Sequence, residues 1–221
     1  MDVVVAGGHG KVARHLLGLL AQRGDRGRGL IRNPDHAGDL TATGAEPVVI
    51  DLERADAQEL AGAIAGADAA VFSAGAGAGS GPERKRTVDL GAAVKLIEAC
   101  RVAGIRRYVM VSAMGVELPG ASSGPMKPYM DAKREADEAL RDSDLDHTIV
   151  RPGMLTDEPG TGEIEVGTPL ERRGSVTRAD VAATLLAVLD EPGTGGITFD
   201  LLGGETPITE AIADLVQAAG V

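Results

Sequence analysis

The sequence has little of what several protein classes require. Among its 221 residues Cys100 is the single cysteine, which excludes an internal disulfide framework and is typical of a reducing, cytoplasmic location. The longest apolar runs, such as 181–189, are well short of a membrane span. No basic stretch followed by an apolar one opens the chain, which disfavours a secretory signal. We therefore expect a cytoplasmic protein.

Positive charge is also scarce. The formal net charge is -11, which disfavours nucleic acid and anionic membranes as partners. A phosphorylated ligand would therefore have to rely on local positive charge, so each well-placed arginine is informative. The four histidines predict no metal site, because they show no ligand spacing with one another or with Cys100; they are His9, His15, His36 and His147.

What the sequence does contain is a regular alternation of predicted strands and helices. Hydrophobic residues make up 43% of the chain, enough for a globular core. Predicted strands cover residues 2–6, 30–32, 46–52, 68–73, 106–111, 146–150 and 197–202. Strands that alternate with helices predict an α/β fold, a single domain with a parallel sheet of about seven strands and right-handed crossovers.

The first twenty residues carry the most specific pattern. An apolar strand over 2–6 leads into a glycine-rich turn with Gly7 and Gly10, and Ala13 stands where a third glycine is common. The helix that follows has one apolar stripe, formed by Val12, Leu16 and Leu20. A strand, glycine turn and helix in this order are typical of a dinucleotide-binding unit, in which the helix start binds a diphosphate. The alternative is a glycine-rich turn in another α/β protein.

An arginine stands where such a unit recognises the adenosine ribose. Arg32 lies about 20 residues after the glycine turn, at the end of the predicted second strand. A carboxylate there would bind the 2′-hydroxyl of NAD, whereas a guanidinium pairs with the 2′-phosphate of NADP. Arg32 thus favours NADP over NAD. The alternative is a solvated arginine at a strand end, and Arg26 and Arg28 could share the phosphate.

The predicted third strand ends in an acid, Asp51, followed by Leu52. In folds of this kind a carboxylate at this position commonly faces the adenine amino group, with the next side chain against the ring. The other interpretation is a cap for the helix predicted over 54–65. The sequence leaves both open.

A phenol and an ammonium group lie four residues apart on one predicted helix, at Tyr129 and Lys133, so both face the same way. A nearby lysine and an oxidised nicotinamide would both lower the pKa of the phenol and suit it to acid–base work. Ser112 ends the predicted fifth strand, at the edge where ligands bind, and could hydrogen-bond a substrate carbonyl. The alternative is a packed aromatic ring and a solvated lysine.

Taken together, these segments resemble the short-chain dehydrogenase/reductase superfamily, specifically its small atypical NAD(P)H-binding branch often labelled epimerase/dehydratase-like. The matching segments are VVVAGGHGKVARHLL, LIRNP, VVIDL, FSAG, YVMVSAMG, YMDAK, TIVRPGMLTDEPGTG and TRADVAATL. The resemblance implies a doubly wound Rossmann fold with strand order 3-2-1-4-5-6-7. It implies a catalytic serine, tyrosine and lysine at Ser112, Tyr129 and Lys133.

The resemblance also implies a set of cofactor contacts. Those of the adenosine and diphosphate half are Gly7, His9, Gly10, Lys11, Val12, Arg32, Asp51, Leu52, Ser73, Ala74 and Gly75. Those of the nicotinamide end are Lys133, Pro152, Gly153, Met154 and Leu155.

Two departures from the superfamily pattern bear on function. Many relatives have an active-site asparagine where this chain has Asp89, and a carboxylate cannot donate as an amide does. The larger members also have a long C-terminal substrate region, whereas here only the segments 153–175 and 192–221 could cover a substrate. A bulky nucleotide sugar is therefore not expected.

The sequence thus predicts an NADP-dependent oxidoreductase that acts on a small carbonyl or quinone-like substrate. Two alternatives remain open, a non-catalytic protein that senses the NADPH/NADP ratio and an epimerase/dehydratase-like enzyme. The expected partner is a small molecule, and the expected assembly is a monomer or a homodimer.

Overall fold

The computed structural model describes residues 1–77, 79–117 and 124–220. Its strands are β1 (Asp2–Ala6), β2 (Arg26–Ile31), β3 (Glu46–Val49), β4 (Ala69–Phe72), β5 (Arg107–Val111), β6 (Asp146–Pro152), β7 (Met154–Thr156), β8 (Glu163–Gly167), β9 (Ser175–Thr177), β10 (Thr198–Gly203) and β11 (Thr206–Pro207). Its α-helices are α1 (Lys11–Arg23), α2 (Ala37–Ala42), α3 (Ala57–Ile64), α4 (Pro82–Lys85), α5 (Ala93–Ala103), α6 (Lys127–Arg141), α7 (Arg178–Asp190) and α8 (Ile208–Ala219). A π-helical segment, Arg86–Ala92, joins α4 to α5.

The main sheet has the order β11-β8-β10-β6-β5-β4-β1-β2-β3. From β3 to β10 every neighbouring pair is parallel, with β10 as the seventh strand of this core. The predicted order 3-2-1-4-5-6-7 and the α/β class are therefore confirmed. The strand count of about seven holds only for the parallel core, because β8 and β11 extend the sheet in antiparallel fashion and β7 and β9 form a second small sheet.

Helices cover the parallel core on both faces, and the alternation along β1 shows why. Val3 and Val5 belong to one apolar cluster, which includes residues of α1, α7 and α8. Val4 and Ala6 belong to the other, which includes residues of α3, α5 and α6. Because side chains alternate across a strand, one buried on both faces must be apolar throughout. All four are fully buried.

The second strand is longer than the sequence pattern indicates. Residues 26–29 read as a loop, but they form the first four positions of β2. Their glycines are needed, because a Cβ at Gly27 would lie 2.9 Å from Leu17 Cδ2 and one at Gly29 would lie 2.3 Å from Leu40 Cδ2. The strand therefore lacks side chains where the helices above it approach closely.

The extended β2 also corrects the expectation that Arg26 and Arg28 share the cofactor phosphate with Arg32. Arg26 pairs with Asp2 and Glu46, and the buried Arg28 pairs with Asp2. Since β1 and β2 are parallel and begin here, both arginines lie at the edge opposite the glycine turn. Arg28 also donates to the carbonyl groups that end α3, at positions 63–65.

Replacing Gly8 by alanine should separate β1 from β2. The new Cβ would lie 2.7 Å from Gly29 Cα and 2.9 Å from Gly29 C, both backbone atoms that cannot move aside. We expect a loss of about 1–3 kcal/mol in the free energy of unfolding, measured with urea. Gly18→Ala in α1 is the matched control, because its Cβ meets nothing within 4 Å. That change should stabilise the helix by about 0.5–1 kcal/mol, and equal effects of the two changes would contradict this explanation.

Candidate active site

The predicted site residues gather at one edge of the sheet. The strands β1, β4, β5 and β6 are parallel, so their carboxyl ends meet there. These ends are followed by Gly7, Ser73, Ser112 and Gly153. The carboxyl edge of such a sheet, next to the point where strand order reverses at β1, is where ligands bind in this class of fold.

The glycine turn is shaped by two close backbone approaches. Gly7 has φ +77°, and a Cβ there would lie 2.6 Å from Ala74 Cα, in the loop after β4. The Gly8 N–H donates to Leu30 O at 2.9 Å, and the Gly10 N–H donates to Gly7 O at 2.8 Å. Only glycine fits at position 7. The three glycines of the turn present no side chain to a bulky anion.

The first turn of α1 offers its N–H groups to that anion. Gly10 caps the helix without a side-chain hydrogen bond, and the first turn contains no acidic residue. Val12 is buried in the core, so only its backbone could reach a ligand. The uncapped helix start fits the diphosphate of a dinucleotide, because free N–H groups and the helix dipole both favour negative charge.

Two ion pairs connect the first residue of α1 with the first residue of α7 through one carboxylate. Lys11, the first residue of α1, donates to Asp157 Oδ2 at 2.5 Å, and Arg178, the first residue of α7, donates to Asp157 Oδ1 at 2.8 Å. The helix dipole and two cations therefore converge beside the glycine turn. The sequence reasoning missed Asp157 and Arg178, although Arg178 opens a predicted helix.

Arg32 directly follows β2, as predicted, and its side chain is exposed. Glu53 binds it at 3.1 Å and also accepts a hydrogen bond from Thr87 Oγ1 at 2.7 Å. Arg84 reaches the same carboxylate at 3.4 Å. Two arginines therefore lie near the expected position of the adenosine ribose, and one glutamate holds both.

Asp51 does not cap the helix that follows it. Its Oδ1 accepts from the Glu53 N–H at 2.9 Å, which closes a turn. The cap of α3 is Asp56, with a full capping box to Glu59, so that alternative for Asp51 is wrong. Leu52 packs against the apolar cluster on this face of the sheet. The adenine contact of these two residues stays a prediction.

The loop after β4 is tied to the predicted catalytic pair by one buried carboxylate. Asp89 lies in the π-helical segment and is 1% exposed. Its Oδ2 accepts from the Ala76 N–H at 3.1 Å, and its Oδ1 lies 3.2 Å from where a Cβ on Gly75 would stand. Its Oδ1 also lies 3.8 Å from Lys133 Nζ. Asp89 therefore joins the segment 73–76 to Lys133.

Lys133 is buried beneath the edge of the sheet. Its Nζ donates to Val111 O at 2.9 Å. Burial lowers the pKa of this amine, and the negative charges of Asp89 and Asp137 oppose that effect. The lysine is thus held by a carbonyl and compensated by carboxylates rather than solvated, which excludes that alternative for Lys133.

Tyr129 lies in the same acidic environment. The sequence predicts a lowered pKa for its phenol, and for the protein without cofactor this direction is wrong. Burial raises the pKa of the phenol to about 12, and the charges of Asp89 and Asp137 add to that effect. The sequence predicts that Lys133 lowers this pKa, whereas burial and, after it, the two carboxylates raise it. The phenol is protonated at neutral pH, as an ordinary phenol also is, and in the protein without cofactor it is a weaker acid than a free phenol. Lys85 Nζ lies 5.3 Å from the centre of its ring.

Ser112 faces inward, toward a buried ion pair. The Arg151 guanidinium donates to Asp137 Oδ2 through Nε at 3.0 Å and through Nη2 at 2.9 Å. Burial raises the pKa of Asp137, while the Ser112 hydroxyl and Arg151 lower it. Neither Ser112 Oγ nor Asp137 Oδ1 has a partner with hydrogen-bond geometry among the described residues. The Ser112 hydroxyl therefore lies next to Asp137, and its contact with a substrate stays a prediction.

Asp137 and Arg151 were missed at the sequence level, although a helical pattern points to the first. Tyr129, Lys133 and Asp137 succeed one another at intervals of four on α6, which places them on one face. Arg151 ends the apolar run of β6 and is buried. The charges of Asp89 and Asp137 both act on Tyr129 and Lys133, so the predicted catalytic residues do come together.

The predicted nicotinamide contacts lie just beyond β6. Pro152 O accepts from the Met114 N–H, and Gly153 N donates to Leu201 O. A Cβ on Gly153 would lie 2.5 Å from Gly174 O, so the chain needs glycine here. Leu155 pairs with Val176 in the small sheet, and Met154 exposes 71% of its surface. The segment 153–175, which we expect to cover a substrate, is partly a sheet because it contains β8.

Two further features concern metals and membranes. Across residues 1–77, 79–117 and 124–220, no group of three or more His, Cys, Asp and Glu side chains is placed to hold a metal ion. In the same part of the chain, no helix has both the length and the apolar character needed to cross a membrane.

The ion pairs of Glu117 predict a pH-dependent stability. Arg151 and Arg141 each donate to its Oε1 at 2.6 Å, and they lower its pKa to about 2. The pairing therefore stabilises the fold above pH 4.5, the ordinary value, and this contribution is lost as pH falls toward 2. Since the carboxylate is 52% exposed, solvent screening limits the contribution to about 1 kcal/mol or less.

Urea unfolding of Glu117→Gln from pH 7 to pH 3 measures this contribution. The variant should be less stable than the natural protein at pH 7, and the difference should shrink on acidification. Glu158→Gln, at an exposed position, is the control and should show a constant difference. If the difference in free energy of unfolding between Glu117→Gln and the natural protein grew at low pH, the stabilising role of these ion pairs would be contradicted.

Comparison with known proteins agrees with this geometry. Residues 7–192 match the model of a family described as NAD(P)H-binding. An uncharacterized sugar epimerase of Bacillus subtilis, YhfK, is 41% identical over 216 residues, which cover 97% of this chain and all of that protein.

Solved structures show the same similarity. A protein of Bacillus halodurans described as an NAD-dependent epimerase/dehydratase superposes with a TM-score of 0.91 and 38% identity, covering 97% of this chain and 99% of that one. An anaerobillin reductase of Escherichia coli O157:H7, ChuY, has a TM-score of 0.76 and 27% identity, covering 92% of this chain and 97% of that one. The chain therefore belongs to the NAD(P)H-binding family of Rossmann-fold proteins.

Proposed function

We propose that the protein is an NADP-dependent reductase of a small carbonyl or quinone-like substrate. The observation that carries this proposal is the position of Asp89, which binds the loop beside the glycine turn through Ala76 and faces Lys133 of the catalytic helix. The cofactor loop and the proton-donating group thus share one buried partner. When bound, the nicotinamide cofactor supplies the hydride.

The chain's own residues supply the proton and the orientation. A substrate oxygen that receives negative charge during reduction takes the Tyr129 proton, which the phenol carries at neutral pH. Lys133, fixed by Val111 O, lies one helical turn away and provides positive charge near the phenolate that remains. The protonated phenol is the form that a reduction requires.

An apolar substrate suits the surroundings of this group. The exposed Met154 follows β6, and the exposed Met126 immediately precedes α6, which carries Tyr129. Methionine side chains are flexible and polarizable, so they adapt to flat or irregular apolar molecules. The loops within 153–175 would cover such a substrate, and a small molecule is the partner that we propose.

The choice of NADP rests on Arg32. Its exposed guanidinium follows β2 and is held toward the α3 side by Glu53. The 2′-phosphate would compete with that carboxylate for the guanidinium and would form charge-assisted hydrogen bonds of the same kind. We also place the protein in a reducing cytoplasm, in keeping with its single, buried Cys100.

A sensor of the NADPH/NADP ratio is the second candidate. The inward position of the Ser112 hydroxyl favours it, because Oγ is buried beside Asp137 instead of facing a substrate. A sensor would bind the cofactor through the same glycine turn and would consume none.

Arg32→Ala should remove the preference for NADP. A charge-assisted hydrogen bond contributes about 1.5–3 kcal/mol, so the Kd for NADP should rise about 10- to 100-fold while the Kd for NAD changes little. Thermal unfolding with each nucleotide at equal concentration reports this through binding linkage. Arg101→Ala, a surface change of the same charge on α5, is the control. Equal shifts by both nucleotides in the natural protein would refute the choice of NADP.

Tyr129→Phe distinguishes the enzyme from the sensor. Loss of a general acid costs about 10²- to 10⁴-fold in rate, so NADPH consumption over a panel of quinones and carbonyl compounds should fall by that factor. The affinity for NADPH should stay nearly unchanged, because the ring of phenylalanine keeps the packing. An unaffected rate would exclude Tyr129 as the proton donor. No turnover by the natural protein with any acceptor would favour the sensor.

A further inference from the structure

Two histidines from separate elements stack at the mouth of the predicted cofactor site. His9 lies inside the glycine turn, and His36 lies just before α2. Their ring centres are 3.6 Å apart and their planes differ by 13°. His9 Nε2 is 2.7 Å from Asp39 Oδ2, so a carboxylate on α2 completes the group. We call these two rings the histidine pair.

The position of the histidine pair matches one part of a phosphorylated dinucleotide. In a dinucleotide-binding unit the adenosine ribose lies between the glycine turn and the end of the second strand. His9 belongs to the first of these elements, and His36 lies four residues after Arg32, which directly follows the second. The 2′-phosphate extends from that ribose, and the pair and Arg32 belong to the two chain segments that flank it. This inference rests on the proposed function.

Charged residues lie near the pair on α1, on α2 and in the segment between β2 and α2. Asp39 of α2 is the nearest anion, and the hydrogen bond from His9 lowers its pKa, with smaller effects from the charges of Arg14 and His36. Arg14 lies on α1. The other charged residues nearby in the chain are Lys11, Arg32 and Asp35, of which Lys11 is paired with Asp157 and Arg32 with Glu53.

This arrangement limits the number of protons that the pair can hold. Two imidazolium rings stacked at 3.6 Å repel each other, and Asp39 supplies a single negative charge that is 55% exposed. A phosphate monoester adds between one and a half and two negative charges near pH 7. The approach of this charge therefore favours the positively charged form of the stacked imidazoles.

We propose that the histidine pair is a proton-coupled clamp for the 2′-phosphate, so that NADP binds with proton uptake and more weakly as pH rises. NAD lacks that phosphate and binds without the coupling. The phosphate itself gains charge as it ionises near pH 6, which strengthens its binding with rising pH and opposes the effect of the histidines. A fall in NADP affinity above pH 6.5 therefore reports on the protein.

Calorimetric titration of the natural protein with NADP and with NAD, from pH 6 to pH 8.5, measures the coupling. Repeating each titration in two buffers with different ionisation heats gives the number of protons taken up. For NADP we expect uptake of up to one proton and a Kd that rises about tenfold between pH 6.5 and pH 8. For NAD we expect a Kd that changes less than about twofold over the same range.

Variants of the pair identify the group responsible. His36→Asn and His9→Asn should each abolish most of the proton uptake and flatten the pH dependence for NADP. His15→Asn, at an exposed position on α1, removes the same side chain elsewhere and should keep both. Two variants guard against misfolding of either one, and circular dichroism verifies each fold.

The outcomes are separable. Equal pH dependence for NADP and NAD, or full proton uptake in both His36→Asn and His9→Asn, would overturn the clamp and leave the proposed function standing. Failure of the natural protein to bind either nucleotide at any pH would overturn the proposed function and the clamp with it.

Discussion

Two close contacts between backbone segments position the residues of the glycine turn at the carboxyl edge of the sheet. Gly7 turns under the Ala74 backbone with a positive φ, and Gly8 lies against Gly29 of β2. No other residue could keep β1, β2 and β4 at these separations without moving the main chain. The same two glycines present no side chain to an anion bound at the turn before α1. Packing between strands and the capacity to bind an anion thus have one physical origin.

A group of buried charged residues holds together the part of the carboxyl edge that lies around Tyr129. Asp89, Lys133, Asp137 and Arg151 are each no more than 7% exposed, and each has an opposite charge or a carbonyl as partner. Removing one member would leave an uncompensated buried charge, which costs about 3–5 kcal/mol. The group is therefore a structural unit whose carboxylates also raise the pKa of Tyr129. Asp89 in place of an amide is part of this setting, because its charge raises the pKa of the phenol.

Much of the fold could be predicted from the sequence, because the parallel core is encoded by apolar runs. Elements without such a signal were missed. The strand β8 and the small sheet of β7 and β9 are short and lie in a stretch rich in Gly, Glu, Thr and Pro. The first half of β2 alternates arginine with glycine and reads as a loop, although those glycines are what the helices above require. Tertiary packing, not local preference, makes these residues a strand.

At the site, the sequence located the glycine turn, Arg32 and the Tyr129–Lys133 pair, since each follows a local pattern. It could not show which distant groups meet. The effect of two carboxylates on the phenol depends on the approach of Asp89 to α6, and the stacking of His9 on His36 depends on the turn after β2. A crystal structure with NADPH tests the central claim most directly. It should show the diphosphate at Gly7–Gly10, the 2′-phosphate beside Arg32 and the nicotinamide beside Tyr129. A nucleotide bound elsewhere, or none at saturating concentration, would contradict it.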